Sequence, residues 1–261
     1  MRFKQLSIWL VVGAVAAVML AAPRPGDAQR RAAAQHGPQC VGGVGALFDA
    51  IEPVPLSAAE EEEVLFLREE EKLARDIYLG LAERWQLPIF ANIALSEQKH
   101  MDLVLLLLET YGIADPVVDD TVGTFSDATL ANLYLELSAR GDLSLVDALT
   151  VGATIEDMDL ADLLELLEMS DNDHIELVAQ NLAKGSRNHL RAFVRALAAQ
   201  GVTYLPQYLD QETFDAILAA DWERGGFVDA DGNFVPACGA TVGGFGMRRG
   251  PGFGGPADGG N

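Results

Sequence analysis

The chain has 261 residues, a length that suits one large domain or two small ones. It carries 39 Asp and Glu residues against 18 Lys and Arg residues, so its formal net charge is −21 at pH 7. Because a surface this acidic repels nucleic acid and anionic lipid and attracts cations, we expect no nucleic-acid partner and look for cation-binding chemistry.

Residues 1–28 have the order of charged and apolar residues that is typical of a secretory signal peptide. Arg2 and Lys4 precede an apolar run over residues 6–22, and small residues up to Ala28 provide a cleavage site. The run is short for a membrane span, and the alternative is an uncleaved anchor. We therefore expect an exported protein, periplasmic or extracellular, with no stable membrane insertion after cleavage.

The segments that flank the central part of the chain contain its two cysteines. Cys40 lies in an N-terminal extension, residues 29–55, and Cys238 ends a segment, residues 225–238, that we expect to form a hairpin or loop. One disulfide between them is the economical interpretation in an oxidising compartment, and a two-cysteine metal site is the weaker alternative. Residues 239–261 are mostly glycine, so we expect a disordered tail.

Residues 56–224 have the periodicity of helices joined by short connections. Ser57 followed by Glu60 is a capping-box pattern that starts the first long helix, which should end near Trp85, before Pro88. Further long helices are predicted over about 88–111, 144–169 and 172–200, with shorter ones over about 127–139 and after Asp210. This order predicts an all-α, antiparallel four-helix bundle with an extra short helix between the second and third long helices.

Each long helix carries an apolar seam at alternating steps of three and four residues, and polar residues interrupt every seam near the middle of its helix. The ionisable residues among them are Glu71, Glu97, His100, Glu156, Asp159 and His189. Because short turns bring the midpoints of antiparallel neighbours level, we expect these six groups to converge in one layer of the core. Unpaired carboxylates there would be costly to bury or would take up protons, and a pair of divalent cations removes that conflict.

The six groups have the composition of a dinuclear metal site. Glu97 and His100 form a Glu-x-x-His pair whose spacing points both side chains inward from one helix face. Four carboxylates and two imidazoles suit iron or manganese and do not exclude zinc. The alternative is a buried polar network in which the acids and histidines satisfy one another without metal.

Two segments resemble the helix motifs of rubrerythrins. Residues 71–78 match the pattern Glu-x-x-Ala-x-x-x-Tyr of the first helix, and residues 96–101 resemble the second-helix motif. Residues 57 to about 224 resemble the ferritin-like family known as domain of unknown function 2202, most specifically over residues 185–193. The resemblance implies a ferritin-like fold and oxidation of ferrous iron, or reduction of peroxide or dioxygen, at a metal pair.

The same resemblance implies a role for each ligand. Glu71 and His100 would hold one metal, and Glu97 would bridge the two metals. Glu156 and His189 would hold the second metal. The cofactor implied is therefore iron, or manganese, with up to two ions in each chain.

One position departs from the family pattern. Ser186 stands where the fourth-helix motif has a glutamate three residues before the histidine, so a bridging carboxylate is missing. Asp159 lies one turn beyond Glu156 on the same helix face, and we expect it to supply that carboxylate. Without this compensation the site would hold one metal or none.

Two further side chains have weaker signals. Tyr78 lies in the seam of the first long helix, where it is either a phenol close to the metal ligands or, more often for a seam aromatic, part of the core packing. His174 lies near the start of the fourth long helix, far from the layer of acids, and we expect it at the surface.

Two functions from different classes fit the sequence. The first is a metal-dependent oxidoreductase of ferroxidase or peroxidase type, whose partners are metal ions and small oxidants. The alternative is a metal-free helical bundle that serves as a structural or interaction module of the cell envelope. The oligomeric state is left open, with a homodimer as one alternative.

Overall fold

The structure, a computed structural model, describes residues 43–237. The expected signal peptide, Cys40, Cys238 and the glycine-rich tail lie outside the described residues, so those expectations stay predictions. Within residues 43–237 the chain forms seven helices and one two-stranded antiparallel hairpin. The helices are α1 (Val44–Phe48), α2 (Ala58–Trp85), α3 (Pro88–Thr110), α4 (Ala128–Gly141), α5 (Leu145–Met169), α6 (Asp173–Ala199) and α7 (Gln211–Ala219), and the strands are β1 (Gly226–Val228) and β2 (Phe234–Pro236).

Local sequence signals set the ends of the helices. At the start of α2, Ser57 N donates to Glu60 Oε2 (2.7 Å) and Glu60 N donates to Ser57 Oγ (3.3 Å), so both arms of the predicted capping box form. Helix α2 ends where Gln86 adopts a left-handed conformation with φ 56°, and Pro88 opens α3. The side chains of Asp127, Ser144, Asn172 and Asp210 cap the four later helices. The helix positions that the sequence predicts are confirmed to within a few residues.

The four long helices enclose the core. Helix α2 packs along α3, α5 packs along α6, and contacts of α3 with α6 and of α2 with α5 join the two pairs. The buried side chains are mostly aliphatic, and their removal from water is the main stabilising contribution. The shorter α4 packs against α2 and α5. The prediction of an all-α fold is confirmed.

Helix α1 is an element that the sequence analysis missed, and it corrects the expectation for His174. That residue is 1% exposed, because α1 and Tyr111 cover it. Its Nε2 lies 3.2 Å from the carbonyl oxygen of Phe48, its Nδ1 lies 3.0 Å from Tyr111 Oη, and its ring stacks on that of Phe48 at 4.1 Å. The prediction of a surface histidine is therefore wrong.

The segments after α6 are tied to the helices by two polar side chains, the buried Asp157 of α5 and the half-buried Asn181 of α6. The carboxylate of Asp157 accepts hydrogen bonds from Tyr204 Oη (2.8 Å) and from the backbone nitrogen of Leu209 (3.0 Å), which anchors the chain between α6 and α7. Asn181 of α6 bonds both backbone groups of Val228 in β1, at 2.6 and 3.0 Å. Among residues 43–237, no helix has the length and apolar composition needed to cross a membrane.

Candidate metal centre

Five of the six residues predicted as ligands meet in the interior of the protein. Glu71, Glu97 and His100 form one cluster, and Glu97, Glu156 and His189 form a second, so Glu97 is common to both. In each cluster the three atoms available for ligation all lie within 4.8 Å of one another. All five residues are buried, and each of the four long helices contributes at least one of them.

Glu97 lies between the two imidazoles and turns one oxygen toward each. Its Oε2 is 2.6 Å from His100 Nδ1, and its Oε1 is 2.8 Å from His189 Nδ1. The outer carboxylates complete the clusters, because Glu71 Oε2 lies 3.2 Å from His100 Nδ1 and Glu156 Oε2 lies 3.3 Å from His189 Nδ1. The two imidazole rings are 5.6 Å apart between centroids. The arrangement is therefore a carboxylate–imidazole array with a shared carboxylate at its middle.

Several of these close atoms do not face one another as hydrogen-bond partners do. His189 Nδ1 and Glu97 Oε1 are 2.8 Å apart, yet neither completes a hydrogen bond within residues 43–237, and neither does Glu71 Oε1. Buried polar atoms in proteins are nearly always hydrogen-bonded. Close approach without the alignment of a hydrogen bond is compatible with ligation of an ion, as is the grouping of these atoms within 4.8 Å of one another. The donor set of nitrogen and oxygen fits iron or manganese.

A glycine on α6 lets His100 take its position. A Cβ atom added to Gly185 would lie 2.4 Å from His100 Nε2 and 2.7 Å from its Cε1, so any side chain at this position would collide with the imidazole. The ring of His100 therefore lies directly on the backbone of α6, which places its Nδ1 beside the carboxylates of α2 and α3. A close approach of this kind is available to glycine because it has no Cβ.

Tyr78 takes both of the roles that the sequence left open. Its hydroxyl donates to Glu156 Oε1 at 2.5 Å and lies 3.3 Å from the carbonyl oxygen of Gly152. Its ring also packs against Phe193, with centroids 5.4 Å apart. Burial and the charge of Glu156 raise the pKa of Tyr78 well above its usual range, so the phenol keeps its proton and orients Glu156.

Asp159 and Ser186 lie beside the clusters without belonging to either of them. Both are buried, and Oδ1 of Asp159 completes no hydrogen bond within residues 43–237. Burial and the charges of Glu71 and Glu156 raise the pKa of Asp159 well above its usual range, although a hydrogen bond with Ser186 opposes this. The Ser186 hydroxyl is also 3.1 Å from the carbonyl oxygen of Leu182. The predicted compensating carboxylate is thus a neighbour of the centre, outside the ligand distances of the five residues that meet.

Burial opposes the ionised form of the outer acids. It raises the pKa of Glu71 to about 7, although the charge of His100 lowers it. It raises the pKa of Glu156 as well. Glu97 differs, because the charges of His189 and His100 outweigh the effect of burial and hold its pKa below the usual range. The central carboxylate is therefore the one that stays ionised most readily.

For the two imidazoles, burial lowers the pKa and the neighbouring carboxylates raise it. Burial lowers the pKa of His189, but Glu97 and Glu156 outweigh burial and raise it to about 10. The pKa of His100 is raised well above its usual range by Glu97 and Glu71, against the effect of burial. Within residues 43–237 the ion pairs of these acids involve histidine, and none involves lysine or arginine. Positive charge must therefore come from protons on the imidazoles or from bound cations.

Glu70 is a buried acid near the centre that the sequence analysis missed. The residue is 2% exposed, and neither carboxylate oxygen completes a hydrogen bond within residues 43–237. Burial, followed by the charges of Asp162 and Asp159, raises the pKa of Glu70 well above its usual range. Its position off the apolar seam concealed it, and the available signal was its place in a run of three glutamates, residues 69–71.

The chain is mostly helical and buries carboxylate and imidazole side chains together, and comparison with known proteins identifies its family. The family model described as uncharacterized protein domain DUF2202 matches residues 60–221. The chain therefore belongs to this family, which confirms the resemblance to domain of unknown function 2202 over residues 57 to about 224.

Two findings concern a relative from an archaeon. The chain is similar to the uncharacterized protein MJ0754 of Methanocaldococcus jannaschii, with 53% identity over 171 residues that span 66% of this chain and 92% of the relative. It is also similar to the crystal structure of hypothetical protein MJ0754 from Methanococcus jannaschii DSM 2661, with a TM-score of 0.66, 51% identity, and coverage of 66% of this chain and 99% of that chain. Neither name describes an activity, so function has to be argued from the centre itself.

Proposed function

We propose that this protein is a ferritin-like, antiparallel four-helix bundle that holds two iron or manganese ions. In its iron form it acts as an oxidoreductase that oxidises ferrous iron with peroxide or dioxygen. One observation carries the proposal. Glu97 connects two buried carboxylate–imidazole clusters in which close ligand atoms, His189 Nδ1 and Glu97 Oε1, complete no hydrogen bond within residues 43–237.

Charge balance supports a pair of ions over a metal-free network. If all were ionised, Glu71, Glu97 and Glu156 in the centre and Asp159 beside it would together carry four negative charges, and two divalent ions supply four positive ones. The two histidines, if they alone provided the compensation, would leave two of those charges unbalanced in the interior. Buried carboxylates without compensation either destabilise the fold or take up protons.

The side chains of the centre divide the work of binding. Glu71 and His100 would hold one ion, Glu156 and His189 would hold the other, and Glu97 offers one oxygen to each side. When bound, a ferrous pair supplies two electrons, which with two protons reduce one hydrogen peroxide to two water molecules. Burial of all five side chains keeps bulk water away from the reacting atoms.

Tyr78 positions the second half of the centre. Its hydroxyl donates to Oε1 of Glu156 at 2.5 Å, which leaves Oε2 turned toward His189. Because the phenol pKa is raised, this proton stays on Tyr78 Oη over the physiological pH range. The residue therefore fixes which oxygen of Glu156 is free to bind an ion.

Metal analysis tests the proposal directly. The chelator-treated protein is reconstituted anaerobically with ferrous iron, desalted and analysed for bound iron, and then mixed with hydrogen peroxide while ferric absorbance is followed. We expect up to two ions in each chain and rapid oxidation. His100→Ala should lose most of the iron, because His100 Nδ1 faces two carboxylates.

Lys99→Ala is the matched control, since Lys99 is the exposed neighbour of His100 on the same helix. It should bind iron as the unaltered protein does. If the unaltered protein holds no more iron than His100→Ala, the metal proposal is wrong, and the metal-free structural or interaction module of the envelope takes its place.

We also propose that the chain is exported and that Cys40 and Cys238 form a disulfide, on the strength of the signal-peptide pattern and the count of cysteines. N-terminal sequencing of exported protein should find a start at or near Gln29. Alkylation should label two thiols after reduction and none before it. A retained Met1 with membrane association, or two thiols alkylated in the native protein, would contradict the respective proposal.

A further inference from the structure

The two imidazoles are the part of the centre that solvent reaches. The side chains of His100 and His189 keep 9% and 10% of their surface exposed, whereas those of Glu71, Glu97 and Glu156 keep 2% each. His100 lies on α3 and His189 lies on α6. Access from solvent therefore leads between these two helices and meets an imidazole first.

The other two helices of the centre are covered on their outer sides. Residues 68–78 of α2 are all buried, and the loop of residues 113–127 packs over them. Residues 151–160 of α5 are all buried too, and Asp157 among them holds residues 204–209 in place. This cover explains why the carboxylates that α2 and α5 contribute to the centre are enclosed.

Contacts between α3 and α6 show which stretches of the two helices lie level with the imidazoles. The helices run antiparallel, because Phe90 near the start of α3 packs against Phe193 near the end of α6, with ring centroids 5.8 Å apart. Farther along α3 the ring of His100 lies against Gly185, which comes earlier in α6. The part of α3 just before His100 therefore lies beside the part of α6 just after Gly185, which contains His189.

Three small residues line the groove between α3 and α6 at this level. Gly185 is half-buried, and a Cβ atom there would lie 2.4 Å from His100 Nε2, so solvent reaches the place where the imidazole rests on the backbone of α6. Ser96 precedes His100 by one turn, Ala192 follows His189 by one turn, and both are half-buried. The small size of these three residues keeps the edges of the imidazoles exposed, and we refer to them as the entrance groove.

We propose that the entrance groove is the route by which ions and oxidant reach the centre, and that it selects the oxidant by size. It admits a single metal ion, hydrogen peroxide or dioxygen, and it excludes hydroperoxides that carry a bulky organic group. Imidazoles that expose a tenth of their surface or less leave an opening for small molecules only. The inference rests on the proposed function, because it names the class of oxidant that the same centre accepts.

Uptake of Mn²⁺ tests the route without requiring a reaction. Chelator-treated full-length protein is mixed with Mn²⁺, and the loss of the electron paramagnetic resonance signal of free Mn²⁺ is followed in time. Ser96→Leu and Ala192→Leu fill the groove from its two sides, and we expect each to slow uptake at least about tenfold, which corresponds to ~1.4 kcal/mol at the barrier to entry. The final number of bound ions should equal that of the unaltered protein, because the five centre residues are intact.

Ala161→Leu is the matched control, since Ala161 is a half-buried alanine of α5, outside the groove. It should take up Mn²⁺ at the unaltered rate. Uptake at that rate by both Ser96→Leu and Ala192→Leu would overturn the route and leave the centre standing. A lower final occupancy in both would also overturn it, because the two residues would then shape the ligands. Absence of bound Mn²⁺ in the unaltered protein would instead remove the centre and the route together.

The choice of oxidant is tested on the iron form. Protein loaded anaerobically with ferrous iron is mixed with hydrogen peroxide or with cumene hydroperoxide at equal concentration, and ferric absorbance is followed. Free ferrous iron in the same buffer gives the ratio of the two rates in the absence of protein. We expect the protein to increase that ratio in favour of hydrogen peroxide at least about tenfold. An unchanged ratio would overturn selection by size.

Discussion

Helix α2 buries charged side chains on two sides, and the two sides differ in how those charges are compensated. Residues 68–78 of α2 form an unbroken run of buried positions. One side of the run faces the loop of residues 113–127, and the other faces the candidate centre. The comparison separates buried charge that supports the fold from buried charge that requires a ligand.

On the loop side, lysine and aspartate compensate each other. Lys72 is fully buried, and its Nζ lies 2.6 Å from Asp76 Oδ2 and donates to the carbonyl oxygen of Thr121 at 3.0 Å. Asp76 also accepts from the backbone nitrogen of Gly123 at 2.9 Å. The ammonium group lies over the ring of Phe125, 4.6 Å from its centroid. These groups hold the loop against α2 with matched charges.

Neighbouring residues of the same side repeat this pattern. Arg68 pairs with Asp115 through two nitrogens, at 3.1 and 2.9 Å. Glu69 accepts from the backbone nitrogens of Ser126 and Asp127, at 2.5 and 2.7 Å. Glu70 and Glu71, the next two residues, turn toward the centre and retain oxygens without hydrogen bonds within residues 43–237. Burial of charge is therefore common in α2. Among the described residues the loop side leaves one buried donor, Arg68 Nη1, without a hydrogen bond, whereas the centre side leaves carboxylate oxygens without one, and it is these oxygens that indicate a cation site.

The largest expected effect comes from removing one partner of the buried Lys72–Asp76 ion pair on the loop side. Asp76→Ala removes the carboxylate that pairs with the buried ammonium group of Lys72. We expect the free energy of unfolding to fall by about 3–5 kcal/mol. Urea denaturation of the metal-free protein measures it. The double variant Lys72→Met/Asp76→Leu should recover part of the loss, because it removes the Lys72–Asp76 pair, whereas Arg75, which also bonds Asp76 at 2.8 Å, keeps only Asp120 and Gln98 as partners. A double variant as unstable as Asp76→Ala would contradict the charge-pair explanation.

A pH titration probes the centre side. The pKa of Glu71 is about 7 in the folded metal-free protein, against 4.5 for the unperturbed group, so folding favours the protonated acid. Its contribution to stability is present below pH 4.5 and is lost as the pH rises through 7, on the order of 3 kcal/mol in all. Urea denaturation of chelator-treated protein from pH 5 to 7.5 should show this decline.

Glu71→Gln is the control for that titration. Its amide does not ionise, so the decline between pH 5 and 7.5 should become smaller by the contribution of Glu71, while Glu156 and Asp159, whose pKa values are also raised, retain theirs. The histidines also lose stability as the pH rises. The pKa of His189 is raised from 6.5 to about 10, so its contribution to stability is present below pH 6.5 and is lost as the pH rises from 6.5 through 10. A decline of equal size in Glu71→Gln would show that Glu71 is not its source.

Asp159 provides a smaller test, measured as metal content. Asp159→Ala removes a buried carboxylate beside Glu71 and Glu156, and we expect occupancy to fall from two ions toward one. Adding Ser186→Glu to that variant should restore the second ion, because Ser186 is buried and bonds Asp159. Metal analysis after anaerobic reconstitution decides the result. Unchanged occupancy in Asp159→Ala would show that the centre never needed this carboxylate.

The smallest effect is expected at the exposed edge of the loop side. Asp120 pairs with Arg75 at 2.6 Å, but its side chain is 64% exposed. Asp120→Ala should cost about 1 kcal/mol or less, because water screens the pair. Urea denaturation in high salt should reduce the difference further. A loss as large as that of Asp76→Ala would mean that exposure does not separate the two pairs.

The sequence predicted the helices and most of the centre because both depend on local or periodic signals. Ser57 and Glu60 mark the start of α2 and Pro88 marks the start of α3, each within a few residues of the predicted position. The interrupted seams predicted which groups converge, since heptad-like spacing sets the face on which a residue lies. The meeting of His100 and His189 across α3 and α6 follows from the same periodicity.

The features that the sequence did not predict depend on contacts between distant segments. Glu70 lies off the seam, and it is buried because α5 covers that side of α2. His174 is buried by α1, a five-residue helix too short to have a periodicity of its own. The sequence analysis made no prediction for Lys72 and Asp76, which are buried because the loop of residues 113–127 encloses them.

Gly185 limits which amino acids the protein can accept at one position of α6. A glycine inside a long helix lowers stability by about 1 kcal/mol relative to alanine, so helix propensity alone favours replacing it. Yet a methyl group there would occupy the space of His100 Nε2, 85 positions earlier in the chain. The imidazole of His100 on another helix thus limits which residues can occupy position 185. Gly185→Ala would displace this proposed ligand without changing the identity of any residue proposed to bind metal.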